Sequence, residues 1–146
     1  MFKKLISYTD FNGKQQTEAH YFNMSKTELT SLEINKDGGF SNHIMEIVEC
    51  QNDKNNKKLA GLIKELILMS YGVKSEDGKR FKKSEELSAE FEQTAAFDEF
   101  YISLLTNTDE LLEFLKGIMP VMTKEQEKQI DTEVNKLMEQ RANVTN

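Results

Sequence analysis

A chain of 146 residues, 38% hydrophobic and 30% charged, is sized for one domain and long enough to bury a core without disulfide or metal support. Its net charge of −6 argues against general nucleic-acid binding. A mean hydropathy of −0.61, with no long apolar run, excludes a membrane-spanning helix.

The opening MFKKLISYTDF has two lysines and too short an apolar stretch for a secretory signal, which predicts a cytoplasmic protein. Cys50 is the single cysteine, so no intramolecular disulfide forms, in keeping with a reducing compartment. Residues Lys3 to Tyr8 and Gln15 to Phe22 alternate polar and apolar around Asp10-Phe11-Asn12-Gly13. Asn-Gly supplies the positive φ angles of a tight turn, and the pattern predicts a β-hairpin. A lone hairpin is marginal, so one of its faces must pack on something.

Ser25-Lys26-Thr27-Glu28 reads as a capping box opening a short helix to about Ile34, with Leu29 and Leu32 on its apolar face. Asp37-Gly38-Gly39 ends it, and Ser41 begins a second helix through Ile44, Ile47 and Val48. Gln51 to Asn56 is a polar loop or frayed helix start. Leu59, Leu62, Ile63, Leu66, Ile67 and Ser70 then mark a helix face broad enough to be central in the core, with Gly72 as its expected C′ residue.

Val73 to Phe81 is a tight excursion with Asp77-Gly78 at its tip, read as a second small hairpin. Ser84 caps the next helix, and Glu85 and Glu86 suit its positive end. Phe97, Phe100, Tyr101, Leu104 and Leu105 form a stripe on the helix after it, read as core. Thr108 is expected to cap another, carrying Leu111, Leu112, Phe114, Leu115 and Ile118 and ending near Gly117 and Pro120. A second capping box, Thr123 to Gln126, opens a last helix with a narrow stripe of Ile130, Val134 and Leu137, peripheral or partnered by another chain. The expected fold is therefore α+β and predominantly helical, an N-terminal β-hairpin packed against a cluster of short amphipathic helices. Residues 1–120 form the hairpin plus helical domain and residues 121–146 a C-terminal helix and frayed tail.

Little here suggests catalysis. His20 and His43 have no acidic or cysteine ligand at metal spacing. The adjacent pairs Glu85-Glu86, Asp98-Glu99 and Asp109-Glu110 point about 100° apart on a helix, so they do not converge on one substrate atom. Gly38-Gly39 lacks the lysine and hydroxyl of a phosphate loop. The expectation is no catalytic residue, no cofactor and no metal.

Charge is the feature left over. Residues 54–83 carry nine Lys or Arg and three Asp or Glu, a net of +6; residues 84–116 carry one and nine, a net of −8. The two regions either neutralise each other within the fold or meet head to tail between copies, which generates a ring or spiral. The self-association or partner surface is accordingly assigned to Lys79, Arg80, Lys82, Lys83, Glu85, Glu86, Asp98 and Glu99, with Ile130, Val134 and Leu137. Seven methionines are core filler or adaptable contacts.

The segments YTDFNG, FNMSKTELTSLEI, DGGF and SYGVKSEDGKRFKKSEELSAEFEQTAAFDEF resemble, in order and over roughly residues 2–120, the tail assembly chaperones of long-tailed phages and prophages of Gram-positive bacteria. That resemblance implies a non-enzymatic protein that coats and solubilises the tape measure protein. It would recruit tail tube protein, act as a homo-oligomer in the host bacterial cytoplasm, and be absent from the mature virion. It also implies a gene read with a programmed frameshift into a longer form. The alternative is a structural head–tail connector or tail completion protein of the virion.

Overall fold

The computed structural model describes residues 1–35, 46–47 and 56–119. Two long strands, β1 (Phe2–Thr9) and β2 (Gln15–Phe22), lead into α1 (Lys26–Asn35), α2 (Asn56–Ser70), the short strands β3 (Tyr71–Lys74) and β4 (Phe81–Lys82), and then α3 (Glu85–Glu92), α4 (Ala95–Thr106) and α5 (Thr108–Gly117). Glu46 and Ile47 are also helical, and Ile47 is buried. The fold is α+β, as its alternation and helical periodicity predict.

The four strands form one antiparallel sheet in the order β1-β2-β3-β4. The first hairpin is closed by Asp10. Its N–H donates to the Lys14 carbonyl (2.8 Å), its carbonyl accepts from Gly13 N–H (3.0 Å), and its Oδ1 accepts from Asn12 and Lys14 N–H. Gly13 sits at φ +80°, a left-handed conformation that favours glycine. This is a three-residue loop with a glycine bulge rather than a two-residue Asn-Gly turn.

Phe2, Ile6 and Tyr8 from one face of β1 and Phe22 from β2 pack toward the helices. Phe22 is the hub. Its ring lies 4.9 Å from Phe100 and 5.6 Å, edge-on, from Phe114, while Phe100 and Phe114 meet edge-to-face at 5.4 Å. Tyr71 stacks on Phe91 at 4.1 Å. Such offset and T-shaped pairs add to what area burial contributes. Leu59, Ile63, Leu66 and Ile67 of α2, Phe97 and Leu104 of α4, and Leu111, Leu115 and Ile118 at α5 join the same core, with Met24 fully buried and Met69 and Met119 packed at its edge. The stripe from Phe97 to Leu105 is thus core.

Helix ends are tied down by capping side chains and by the chain leaving β2. Ser25 N–H donates to Glu28 Oε1 (3.0 Å) and Glu28 N–H to Ser25 Oγ (3.1 Å), the reciprocal capping box read from the sequence. Ser84 accepts from Leu87 N–H at the start of α3. Asn23 N–H donates to the Ser70 carbonyl and Met24 N–H to the Ile118 carbonyl, so the exit from β2 satisfies the C-terminal ends of α2 and α5. Buried Ser70 donates its hydroxyl to the Leu66 carbonyl (2.8 Å), which accounts for a polar group on the core face of α2.

Two expectations are corrected. Gly72 is not the C′ residue of α2. It is a residue of β3, and a Cβ there would lie 2.7 Å from the Phe81 ring and 2.8 Å from the Lys82 carbonyl, so glycine is required by the close approach of β4. Thr108 does not cap α5. Asn107 does, its Oδ1 accepting from Glu110 N–H (3.2 Å), and Thr108 is the first helical residue. The Asp37-Gly38-Gly39 break, Ser41, His43, Cys50, Pro120, the second capping box and the whole of residues 121–146 lie outside the described residues.

Candidate functional site

The β3–β4 hairpin presents the basic strip. Its tip is locked by the Ser75 and Asp77 side chains: Ser75 Oγ donates to Asp77 Oδ1 (2.6 Å), Lys79 N–H donates to the same oxygen (3.0 Å), and Arg80 N–H donates to Ser75 Oγ (3.0 Å). Gly78 turns the chain at φ +73°. The bond from Ser75, then that from the Lys79 backbone, holds the Asp77 carboxyl below its ordinary value. Asp77 is thereby engaged within the turn, while Lys79, Arg80 and Lys82 stand exposed on it.

Lys83 behaves differently. Its ammonium donates to both Glu28 carboxylate oxygens (2.8 and 2.9 Å) and to the Met69 carbonyl (3.1 Å). It therefore links the capping box of α1 to the end of α2, and its side chain is only 21% exposed. Burial pushes the Glu28 carboxyl up, but the bonds from Lys83 and Ser25 outweigh it and hold the group below its ordinary value. Of the four basic residues assigned to a surface, three are outward and one is an internal tie.

The acidic residues occupy helix starts. Glu85 and Glu86 lie in the first turn of α3 and Asp98 in that of α4 with Glu99 next to it; all four are exposed. Thr94 caps α4, accepting from Phe97 N–H at 3.2 Å. The basic and acidic regions meet through Lys64 and Glu92, which pair at 2.7 Å across α2 and α3. Lys83 and Lys4 pair instead with Glu28 and Glu110. Ile130, Val134 and Leu137 lie outside the described residues.

Sequence reasoning missed an open groove of about 460 Å³ beside Lys83. Leu68, Met69 and Tyr71 line it from α2 and β3, Ala89 from α3, and Glu28, Glu85 and Glu92 supply its carboxylates. Ser88 fixes one wall, donating its hydroxyl to the Leu68 carbonyl (2.9 Å). No spacing in the sequence announces it, because its walls come from three separated segments. Among the described residues no group of three or more His, Cys, Asp or Glu is placed to hold a metal ion, and no helix is long and apolar enough to cross a membrane.

The described surface thus combines a basic hairpin, acidic helix starts and an open groove of mixed polar and apolar lining. The model of the family described as phage tail assembly chaperone matches residues 1–146, and the chain belongs to that family. No curated protein and no solved structure matches it.

Proposed function

We propose that the protein binds the tape measure protein during tail morphogenesis, keeps that long helical chain soluble, and recruits tail tube protein, which displaces it. It works in the host cytoplasm, is not an enzyme, and leaves the assembly before the virion is complete. The family match over the whole chain is the observation that carries this reading, and it favours a chaperone over a head–tail connector or tail completion protein.

Copies associate head to tail in this proposal, Lys79, Arg80 and Lys82 of one against Glu85, Glu86, Asp98 and Glu99 of the next. Support comes from the exposure of all seven side chains. Such contacts between exposed charges are screened by salt, so the oligomer should shrink as ionic strength rises. An assembly of constant size across that range would refute the charge-driven contact.

The decisive experiment is co-expression with the tape measure protein, followed by pull-down and mass measurement. The expected result is a soluble complex with many copies of this chain per tape measure chain. Absence of binding, with the chain found in purified virions, would overturn the proposal in favour of the connector. A slippery heptamer near the end of the reading frame is the expected sign of the longer frameshifted form.

A further inference from the structure

The two edges of the sheet are built differently. β4 is two residues long and offers almost no ladder. β1 is eight residues long, runs in unbroken register with β2 from Phe2↔Phe22 to Thr9↔Gln15, and has no strand on its other side among the described residues. Sheets blunt a free edge by shortening it, by bulges, by proline or by charge. β1 has no proline and no bulge. Of its two lysines, Lys4 is tied to Glu110 at 3.2 Å, leaving Lys3 as the outward charge.

The turn fixes which residues address that edge. Asp10 N–H donates to the Lys14 carbonyl, so these residues form a hydrogen-bonded pair. Such pairs alternate along an antiparallel ladder, so Tyr8, Ile6, Lys4 and Phe2 direct their backbone groups to β2. Lys3, Leu5, Ser7 and Thr9 direct theirs outward. In the middle of that outward set Leu5 is 62% exposed, opposite the exposed Ala19.

We propose that a second copy of this chain adds its β1 antiparallel to this edge about a two-fold axis at Leu5. Charge and apolar contact together select that register: like charges rule out an axis at Lys3 or Lys4, and of the remaining registers only the one centred on Leu5 sets Leu5 against Leu5. Leu5 opposes Leu5 of the second copy, and each Lys3 opposes a Ser7; on the inner face Lys4 opposes Ile6 and Phe2 opposes Tyr8. No like charges face each other. Centring the axis on Lys3 would set two ammonium groups together, and centring it on Ser7 would place Leu5 against Thr9. Pairing of Lys3, Leu5 and Ser7 adds about six backbone hydrogen bonds. Leu5 gains an apolar cross-strand partner, the contact that stabilises such pairs. The contact is isologous and closes at two, unlike the head-to-tail contact, and does not depend on it.

Sedimentation of the full chain in roughly 1 M salt, where the screening length is about 3 Å, tests this with the charge-driven contact suppressed. The expected result is twice the chain mass, falling to the chain mass for Leu5→Lys, with circular dichroism unchanged. A monomeric wild type, or a dimeric Leu5→Lys, overturns the proposal. If Leu5→Lys does not fold, Leu5→Cys in a Cys50→Ser background decides. A short bis-maleimide should then join Leu5→Cys chains into covalent dimers and leave Ser7→Cys chains single; absence of the Leu5→Cys dimer overturns the proposal.

Discussion

Replacing Lys83 with methionine separates the two roles that a basic strip can have. Methionine keeps most of the apolar stem and removes only the ammonium. Three hydrogen bonds go with it, two to Glu28 and one to the Met69 carbonyl. Exposed ion pairs contribute about 0–1 kcal/mol, and hydrogen bonds to charged groups in protected sites about 1.5–3 kcal/mol. With Lys83 21% and Glu28 34% exposed, the pair belongs in the lower part of the second range. The expected loss is about 1.5–2.5 kcal/mol. For a chain of this size that is a fall in Tm of about 4–10 °C.

Urea denaturation of Lys83→Met, Glu28→Gln and the double variant yields the coupling, expected near 1 kcal/mol. Glutamine preserves the acceptor of the capping box, so the cycle reports mainly on the Lys83 link. The pH dependence supplies a second readout. The Glu28 carboxyl is held low in the folded chain, so its contribution is present above the ordinary carboxylate range and is lost as pH falls through the lowered folded value. The gap between wild type and Lys83→Met should therefore close on acidification. A Lys83→Met protein within about 0.5 kcal/mol of wild type at neutral pH would refute the reasoning, because that is the behaviour of a free surface residue. Lys79→Met, by contrast, should stay inside that margin.

Gly72→Ala should cost about 1–3 kcal/mol, since the new methyl meets the Lys82 backbone at 2.8 Å and cannot be accommodated by a side-chain rotation alone; thermal melting checks it. Asn107→Ala should cost about 1 kcal/mol and Thr108→Ala less, the reverse of what capping by Thr108 would give, and chemical denaturation of the pair distinguishes them. His20 should titrate below the usual imidazole range. Burial lowers its pKa against the opposing effect of Glu18, and its Nε2 is buried without a hydrogen-bond partner. The charged and titratable groups around it are Glu18 on its own strand, Lys4 opposite on β1, and Tyr71 of β3, with Glu90 of α3 beside Tyr71. Because the folded value is the lower one, stability is full above the unfolded imidazole pKa and declines as pH falls through it. Proton NMR of the imidazole, and loss of that decline in His20→Gln, check this.

How far these features could be read in advance depends on the range of the interaction. Ser25 and Glu28 cap α1 through bonds spanning three residues, so their spacing announced them. The broad face of α2 predicted burial because helical periodicity is set by the backbone alone. Asn107 and Thr108 are adjacent and both able to cap, and only the observed backbone decides between them. Gly72 was placed at a helix end because glycine commonly sits there, whereas its reason is a strand that returns nine residues later. Lys83 lies in a run with Lys79, Arg80 and Lys82 and is indistinguishable from them in composition. Its partner Glu28 is 55 positions away.

That distinction also reorders the argument about charge. Counting residues made the basic segment and the acidic segment equal candidates for neutralising one another. In the fold, one ion pair, Lys64 with Glu92, joins the two regions among the described residues, while Lys83 and Lys4 reach carboxylates elsewhere. The charges that secure the structure are thus drawn from both regions without cancelling either. Lys79, Arg80 and Lys82 remain exposed on a hairpin whose own aspartate is held inside its turn, and Glu85, Glu86, Asp98 and Glu99 remain exposed at the starts of two helices. In the head-to-tail contact proposed above, these are the charges that meet between copies. Contacts made by exposed ions steer association and set its rate, yet each contributes little to affinity, so an assembly held by them forms quickly and comes apart readily.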